Sequence, residues 1–246
     1  MSIHYSLLVG NPFINAYLNS DLFGKLIFIS LIVASLVSWT LIIYKCWLTW
    51  KVKKSSRHFQ SLFEKHQLDP LALSVDQTVE QINPFLNLYA ILKKQVMDLL
   101  RKNRHYSVTI TPQEQASYLS SADVSLVESH LATGASAQNQ ILENHLFILS
   151  MIVSLGPFLG LLGTVWGILT TFGELQNHAA ADNHAVLGGI SLALATTVLG
   201  LLDAIPALIG YSYLKSTARS FATEMECFCN EMLASVELHY RKVDLR

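Results

Sequence analysis

The chain has 246 residues, of which 51% are hydrophobic and only 14% are charged. A soluble domain averages about 25% charged residues, so this composition predicts a membrane protein. The net charge of −1 gives no basic footprint for nucleic acid, and we expect no nucleic-acid partner. Three cysteines are too few for a disulfide framework.

Three segments are long and apolar enough to cross a bilayer, which takes about 20 residues. The first lies between Lys25 and Lys45 and has 19 uncharged residues. The second is the uncharged run between Glu143 and Glu174, and a third run has Asp203 as its only charge. These runs predict transmembrane helices over 24–46, 146–173 and 185–209. The first is too long for a signal peptide and lacks a cleavage site, so we expect an uncleaved anchor.

The distribution of lysine and arginine predicts the orientation of these helices. Basic residues follow the first and third spans: Lys45, Lys51, Lys53, Lys54 and Arg57, then Lys215 and Arg219. The loop between the second and third spans has none. We therefore predict an external tail over 1–23, a cytoplasmic helical domain over 47–145, an external loop over 174–184 and a cytoplasmic C-terminal helix over 210–246.

The cytoplasmic segments carry helical patterns. Asn83 before Pro84 predicts a helix N-terminus. Thr111 to Glu114 resembles a capping box, from which a helix is predicted to continue into the second span. After the third span, apolar residues recur at alternating spacings of four and three: Leu214, Ala218, Phe221, Met225, Phe228, Met232 and Ser235. Two interpretations of this stripe stay open, packing on the chain's own cytoplasmic helices and packing between subunits.

Small residues occupy one face of each of the last two spans. They are Gly156, Gly160, Gly163 and Gly167 in the second span, with two G-x-x-x-G spacings, and Gly189 and Gly200 in the third. In lipid, such spacings let helix backbones approach closely, so we predict that these glycines pack helices together. Pro157 and Pro206 lie inside the same spans, where neighbouring helices or water can satisfy the carbonyl groups that they free.

Polar residues accompany the glycines. Thr164 and Thr171 share the small face of the second span, and Thr196 and Thr197 lie on the corresponding face of the third. A single hydroxyl can bond to its own helix, but together the four predict a narrow polar path. Asp203 is the strongest single indication, because an ionisable residue inside an apolar span points to function. The alternative is a residue near the membrane surface that reaches for lipid headgroups or for Lys215.

The sequence lacks the motifs of the common enzyme classes. It has no phosphate-binding G-x-x-x-x-G-K, no dinucleotide-binding G-x-G-x-x-G, no H-E-x-x-H and no G-x-S-x-G. Nine histidines are scattered without metal-ligand spacing, and the C-x-C of Cys227 and Cys229 is a weak metal signal. A transporter acting alone is not favoured, because three spans show no inverted repeat. We expect no enzymatic activity, no metal and no cofactor.

The paired segments GPFLGLLGTVWGI and GGISLALATTVLGLLDAIPALIGY resemble the TolQ/ExbB/MotA family of proton-channel proteins, especially its TolQ and ExbB branch. The resemblance extends to the order of the spans and their charge asymmetry. It implies a multi-pass protein of the bacterial inner membrane, with a periplasmic N-terminus and a cytoplasmic C-terminus. It also implies a homo-oligomeric ring, five-fold in the family, around the membrane helices of a TolR- or ExbD-like dimer. A TolA- or TonB-like partner would cross the periplasm.

The resemblance also implies roles for single residues. Thr164 and Thr197 match the pore-facing threonines of the family, whose essential proton-carrying aspartate lies on the TolR/ExbD-like partner. Leu192 stands where the family has a glutamate, and Asp203 stands where it has a small residue. On a helix these two positions face directions within about 20° and differ in depth by about 16 Å. We expect Asp203 to act as a relay acid nearer the cytoplasmic exit.

Three functions stay open. A TolQ-like subunit of the Tol-Pal system, which couples the proton motive force to envelope integrity and cell division, is favoured by the short tail before the first span. An ExbB-like subunit that powers TonB-dependent import is the alternative. The missing glutamate leaves a non-conducting scaffold ring as a third. The predicted fold is an all-α integral membrane protein with three transmembrane helices and long cytoplasmic helical extensions, assembled into a ring of five copies.

Overall fold

The computed structural model describes residues 12–18, 20–66, 70–73, 83–110, 118–177 and 183–241. Its helices are α1 (Pro12–Leu18), α2 (Leu22–Lys65), α3 (Pro84–Ile110), α4 (Ser121–Glu143), α5 (Leu146–Asn177) and α6 (Asn183–Tyr240). An isolated β-bridge joins Leu119 to Arg241. Apart from this bridge, the regular secondary structure of the described residues is helical.

Three of the helices are long and apolar enough to cross a membrane. They are α2, the Leu146–Gly173 part of α5 and the Val186–Tyr240 part of α6. Large apolar side chains on the last two, such as Phe158, Leu161 and Leu194, are more than half exposed. Such surfaces suit a lipid environment. The prediction of an all-α chain with three membrane-length apolar helices is confirmed.

The chain forms two compact units. The membrane unit contains the described residues of Met1–Lys45 and His145–Leu214. The helical unit contains those of Cys46–Asn144 and Lys215–Arg246. Because α2 and α6 are long, each contributes residues to both units.

The helical unit has an apolar core formed by α2, α3, α4 and α6. Phe228 of α6 lies at its centre, with its ring stacked on Phe85 of α3 at a centroid distance of 4.5 Å. The ring of Phe63 of α2 packs edge-on against the ring of Phe228, at a centroid distance of 5.5 Å. Val127 and Leu131 of α4, each 1% exposed, belong to the same cluster. One residue thus joins α2, α3 and α6.

The apolar stripe of α6 packs on the chain's own helices. Phe221, Met225, Phe228 and Met232 are at most 2% exposed and belong to the core of the helical unit. Leu214, at the start of the stripe, belongs instead to an apolar cluster of the membrane unit. The intramolecular interpretation of the stripe is therefore confirmed for these four residues.

Helices α4 and α5 are separate, and the prediction of one helix continuing into the second span is wrong. α4 ends at Glu143, and the N–H of Asn144 still donates to the carbonyl of Gln140 at 3.0 Å. His145 then has a φ of 68°, a left-handed conformation that ends the helical hydrogen-bond pattern. Since neither glycine nor proline stands at this point, the residue pattern gave no sign of the break.

Asn83 begins α3, as predicted. Its Oδ1 accepts hydrogen bonds from the N–H groups of Phe85 at 3.1 Å and Leu86 at 3.3 Å. Its amide nitrogen donates to the carbonyl oxygen and to the hydroxyl of Ser55 on α2, at 3.2 and 3.1 Å. Asn83 is only 6% exposed. The same side chain therefore caps α3 and attaches it to α2.

A second cap lies at the start of α4. The N–H of Asp123 donates to the hydroxyl oxygen of Ser120 at 3.2 Å, and Asp123 Oδ2 accepts the N–H of Ser120 at 3.0 Å. The same carboxylate oxygen accepts a hydrogen bond from the side-chain amide of Asn103 on α3 at 2.9 Å. This box is Ser-x-x-Asp, whereas the common form ends in Glu or Gln. The box predicted at Thr111 to Glu114 lies outside the described residues.

Replacing Asn83 with alanine should loosen the start of α3, because two backbone N–H groups and Ser55 lose their buried partner. We expect the free energy of unfolding to fall by about 1–3 kcal/mol. Hydrogen-exchange mass spectrometry in detergent should show faster exchange in the first turn of α3. Asn87→Ala, one turn along, is the control and should leave exchange unchanged. Equal effects of both variants would contradict the capping role.

Asp123 should make the stability of the helical unit depend on pH. Burial acts to raise the pKa of Asp123, but hydrogen bonds from Ser120 and Asn103 and the charge of Lys102 outweigh it, and the pKa lies below its usual range. A lowered folded-state pKa stabilises the protein above the unfolded pKa of about 4, and this stabilisation is lost as the pH falls through the folded pKa.

The measurement compares the melting temperature of the native chain with that of Asp123→Asn from pH 7 to pH 3. The native chain should melt higher at neutral pH, and the difference should shrink below about pH 4. Glu64→Gln, at an exposed acid of α2 in the same unit, serves as control. A difference that is constant with pH would contradict the assignment.

Candidate functional site

Helices α5 and α6 pack against each other through glycines. A methyl group at Gly200 would lie 2.7 Å from the carbonyl oxygen of Gly156 and 3.1 Å from the Cα of Gly160. At the other end of the contact, a methyl group at Gly167 would lie 2.7 Å from the carbonyl oxygen of Gly189. These approaches are too close for any side chain. Since early residues of α5 meet late residues of α6, the two helices run antiparallel.

Two of the predicted threonines are buried in this contact. Thr196 is 0% exposed and faces Gly163, whereas Thr171 is 5% exposed and faces Gly189. Their hydroxyls donate to carbonyls of their own helices, Thr196 to Leu192 at 3.0 Å and Thr171 to Gly167 at 2.7 Å. Each thus fills the space beside a glycine and satisfies its own hydroxyl.

The other two threonines are less buried. Thr197 is half-buried, and its hydroxyl donates to the carbonyl of Gly160 on α5 at 3.3 Å. Thr164 is also half-buried, and its hydroxyl donates to Leu161 of its own helix at 2.6 Å. Within 146–177 and 183–241, no hydrogen bond joins two of the four threonines. The polar path predicted from them is thus not a chain of bonded hydroxyls within one subunit.

Both prolines lie inside helices that continue through them, Pro157 in α5 and Pro206 in α6. Proline has no N–H, so the carbonyl one turn earlier loses its helical donor. Pro157 directly follows Gly156, where the backbones of α5 and α6 approach closely. Neither helix ends at its proline.

A different face of α6 packs against α2. A methyl group at Gly24 of α2 would lie 2.7 Å from the side chain of Leu192. Farther along, a methyl group at Gly210 would lie 2.7 Å from the side chain of Ile42. Since early residues meet early residues, α2 and α6 run parallel.

Asp203 lies between these two contacts along α6 and is 4% exposed. The hydroxyl of Ser35 on α2 approaches its carboxylate. Neither Oδ1 nor Oδ2 has a hydrogen-bond partner among the described residues. A buried carboxylate without a partner has a large free-energy cost. The side chain therefore lies on the face of α6 that packs against α2.

Leu192 lies in an apolar cluster on the same face of α6. It is 2% exposed and packs with Ala16 of α1, Phe28 of α2 and Ala195. These neighbours offer no partner to a carboxylate, so leucine suits the position. The chain thus has an apolar contact at Leu192 and its buried acid at Asp203.

The sequence did not reveal a polar link between α2 and α5. Asp21 caps α2, with Oδ1 accepting the N–H of Gly24 at 2.9 Å and Oδ2 accepting the indole N–H of Trp166 at 2.8 Å. The ring of Phe23 lies 4.4 Å from that of Trp166. An aspartate before an apolar helix is a recognisable cap signal, but its tryptophan partner is 145 residues away. Lys45, one of the basic residues that predict the orientation of the spans, is 4% exposed.

Gly200→Ala should disrupt the α5–α6 contact, because the added methyl group meets the backbone of α5. We expect the free energy of unfolding to fall by about 1–3 kcal/mol. The measurement is the melting temperature of the purified protein in detergent, which should be lower. Gly173→Ala is the matched control, since nothing lies within 4 Å of an added methyl group there. A Gly200→Ala protein that melts like Gly173→Ala would contradict the contact.

Comparisons with known proteins agree with this geometry. The MotA/TolQ/ExbB proton channel family matches residues 87–227, more than half of the chain. Biopolymer transport protein ExbB of Neisseria meningitidis is 26% identical over 209 residues, which cover 84% of this chain and 88% of that protein. Tol-Pal system protein TolQ of Haemophilus influenzae is 25% identical over 223 residues, or 89% and 91% of the two chains.

A shorter match is closer in sequence. Putative biopolymer transport protein ExbB-like 2 of Helicobacter pylori is 38% identical over 87 residues, 35% of this chain and 58% of that protein. The family match includes α5 and most of α6, the two helices joined by the glycine contact. The chain belongs to the MotA/TolQ/ExbB proton channel family.

Proposed function

We propose that this chain is the ring-forming channel subunit of a Tol-Pal or TonB-type complex, which couples the proton motive force to work on the outer membrane. The observation that carries the proposal is the glycine contact of α5 and α6, within the segment that matches the family. In this role the chain has no enzymatic step of its own. It supplies the wall past which ions move.

The proposed setting is the bacterial inner membrane, with the N-terminus in the periplasm and the C-terminus in the cytoplasm. Spans over 24–46, 146–173 and 185–209 would then place 47–145 and 210–246 in the cytoplasm. The excess of lysine and arginine in those segments supports this orientation. Residues 1–23 and 174–184 would face the periplasm.

The proposed assembly is a ring of five copies around the membrane helices of a TolR- or ExbD-like protein, with a TolA- or TonB-like protein crossing the periplasm. Thr164 and Thr197 would face the enclosed helices, and their half-buried positions leave them partly accessible in a single subunit. The small residues of α5 and α6 are used inside the subunit. Contacts with partners are therefore assigned to the threonines and to the large exposed apolar side chains.

The TolQ-like role, in envelope integrity and cell division, is the one we favour. The ExbB-like role in TonB-dependent import is the alternative. Relatives of both names match this chain at 26% and 25% identity over most of their length, which supports the shared role and leaves the branch to be tested with partners.

Asp203 is proposed as an acid that takes up and releases a proton near the cytoplasmic exit. Its two oxygens are buried and without a partner among the described residues, so binding a proton or a cation lowers the free-energy cost of burial. The hydroxyl of Ser35 on α2 approaches this carboxylate. Thr171 and Thr196 are assigned to packing beside the glycines, with the path running along Thr164 and Thr197.

A non-conducting scaffold ring is the second candidate. It is supported by the apolar cluster around Leu192, the position at which the resemblance implies a glutamate in the family. If Asp203 does not supply the missing acid, the ring would hold its partners without moving ions.

Asp203→Asn tests the proposal directly. Liposomes containing the chain and the TolR- or ExbD-like protein, its one-span partner, should show partner-dependent proton flux. The variant should lower this flux at least ~10-fold, because Asn cannot carry a proton. Asp98→Asn, at an exposed aspartate of α3, is the matched control and should retain the native rate. A sodium gradient in place of the proton gradient identifies the ion.

The possible outcomes separate the candidates. Flux that is unchanged in Asp203→Asn would support the channel function and contradict the proposed role of Asp203. No flux from a complex that assembles fully would contradict the channel and favour the scaffold ring.

A further inference from the structure

A groove of about 390 Å³ lies in the helical unit, between α4 and the C-terminal part of α6. Leu131 and Ala135 of α4 and Cys229 of α6 are buried residues of its lining. Glu128 of α4 and Glu226 of α6, both exposed, carry its carboxylates. The groove thus has an apolar floor between two acids on different helices.

The residues that line the groove include two carboxylates and no lysine or arginine. Helix α4 contains Asp123, Glu128 and Glu143 and no lysine or arginine. Burial, together with the charge of Glu226, raises the pKa of the Cys229 thiol to about 11. Asn139 also lines the groove, and its buried Oδ1 has no hydrogen-bond donor among the described residues. The groove therefore suits a surface that combines cations with an apolar side chain.

The outer face of α3 has that chemistry. Between Pro84 and Ile110 the chain has five lysine and arginine residues and one acid, Asp98. Lys94, Met97 and Arg101 are exposed and recur at spacings of three and four, so they lie on one face of α3, which also carries the exposed Asp98. Met97 is 39% exposed. An unbranched apolar side chain between two cations matches an apolar floor between two carboxylates.

We propose that the groove receives the Lys94–Met97–Arg101 face of α3 from a neighbouring copy of this chain. Met97 would contact the apolar floor, and the two cations would pair with Glu128 and Glu226. The inference rests on the proposed ring. The groove and the α3 face share no residue, so one copy can use both at once, and a contact repeated head to tail in this way can close a ring.

Photo-crosslinking tests this contact in the full-length chain reconstituted in bilayers. One copy carries a photoreactive amino acid at position 97 and one affinity tag, and a second copy carries a different tag. Ultraviolet light should join the two, and mass spectrometry should locate the bond in 128–139 or 222–233 of the second copy. The oligomeric state is measured on the same sample by native mass spectrometry.

Charge reversal supplies a second measurement. Glu226→Lys should lower the cross-linked fraction at least ~5-fold, because like charges would face each other. Adding Arg101→Glu to the first copy should restore it. Glu64→Lys, at an exposed acid of α2 outside the groove, is the control and should leave the fraction unchanged.

The readouts separate this contact from the ring itself. Cross-links in the groove, lost and restored by the charge changes, support the proposal. An oligomer whose cross-links from position 97 fall elsewhere would contradict it and leave the ring intact. The absence of an oligomer would contradict both.

Discussion

The close approach of α5 and α6 is the constraint on which the membrane unit depends. Lipid gives apolar helices no hydrophobic reason to associate, so their contact relies on packing that only small residues allow. At Gly156, Gly160 and Gly200 the two backbones meet without intervening side chains. The hydroxyls of Thr171 and Thr196 fit beside glycines because each is satisfied by its own helix.

This contact also decides where the buried acid lies. Asp203 follows Gly200 by three residues, so the two differ by about 60° around α6. With Gly200 against α5, Asp203 is directed to α2, next to Ser35. The carboxylate is therefore enclosed by the subunit itself, whereas Thr164 and Thr197 remain partly accessible.

Much of the fold follows from local patterns, and the failures have physical reasons. Uncharged runs identified the three long helices, and the Asn83-Pro84 pair identified the start of α3. The break at His145 is not predicted by the sequence, because a non-glycine residue adopts the left-handed conformation there. Helical periodicity placed Leu192 and Asp203 on one face, but the helix that this face contacts depends on tertiary packing. The partner of the α6 stripe was undecided for the same reason.

Water access at the two half-buried threonines tests the account most directly. In a chain with Cys46, Cys227 and Cys229 replaced, Thr164→Cys and Thr197→Cys would be assembled with the one-span partner in membranes. A charged, membrane-impermeant thiol reagent should modify both, because they line the ion path. It should spare Phe158→Cys on the exposed apolar surface of α5. Unreactive cysteines at both threonine positions would contradict a path along this face of α5 and α6.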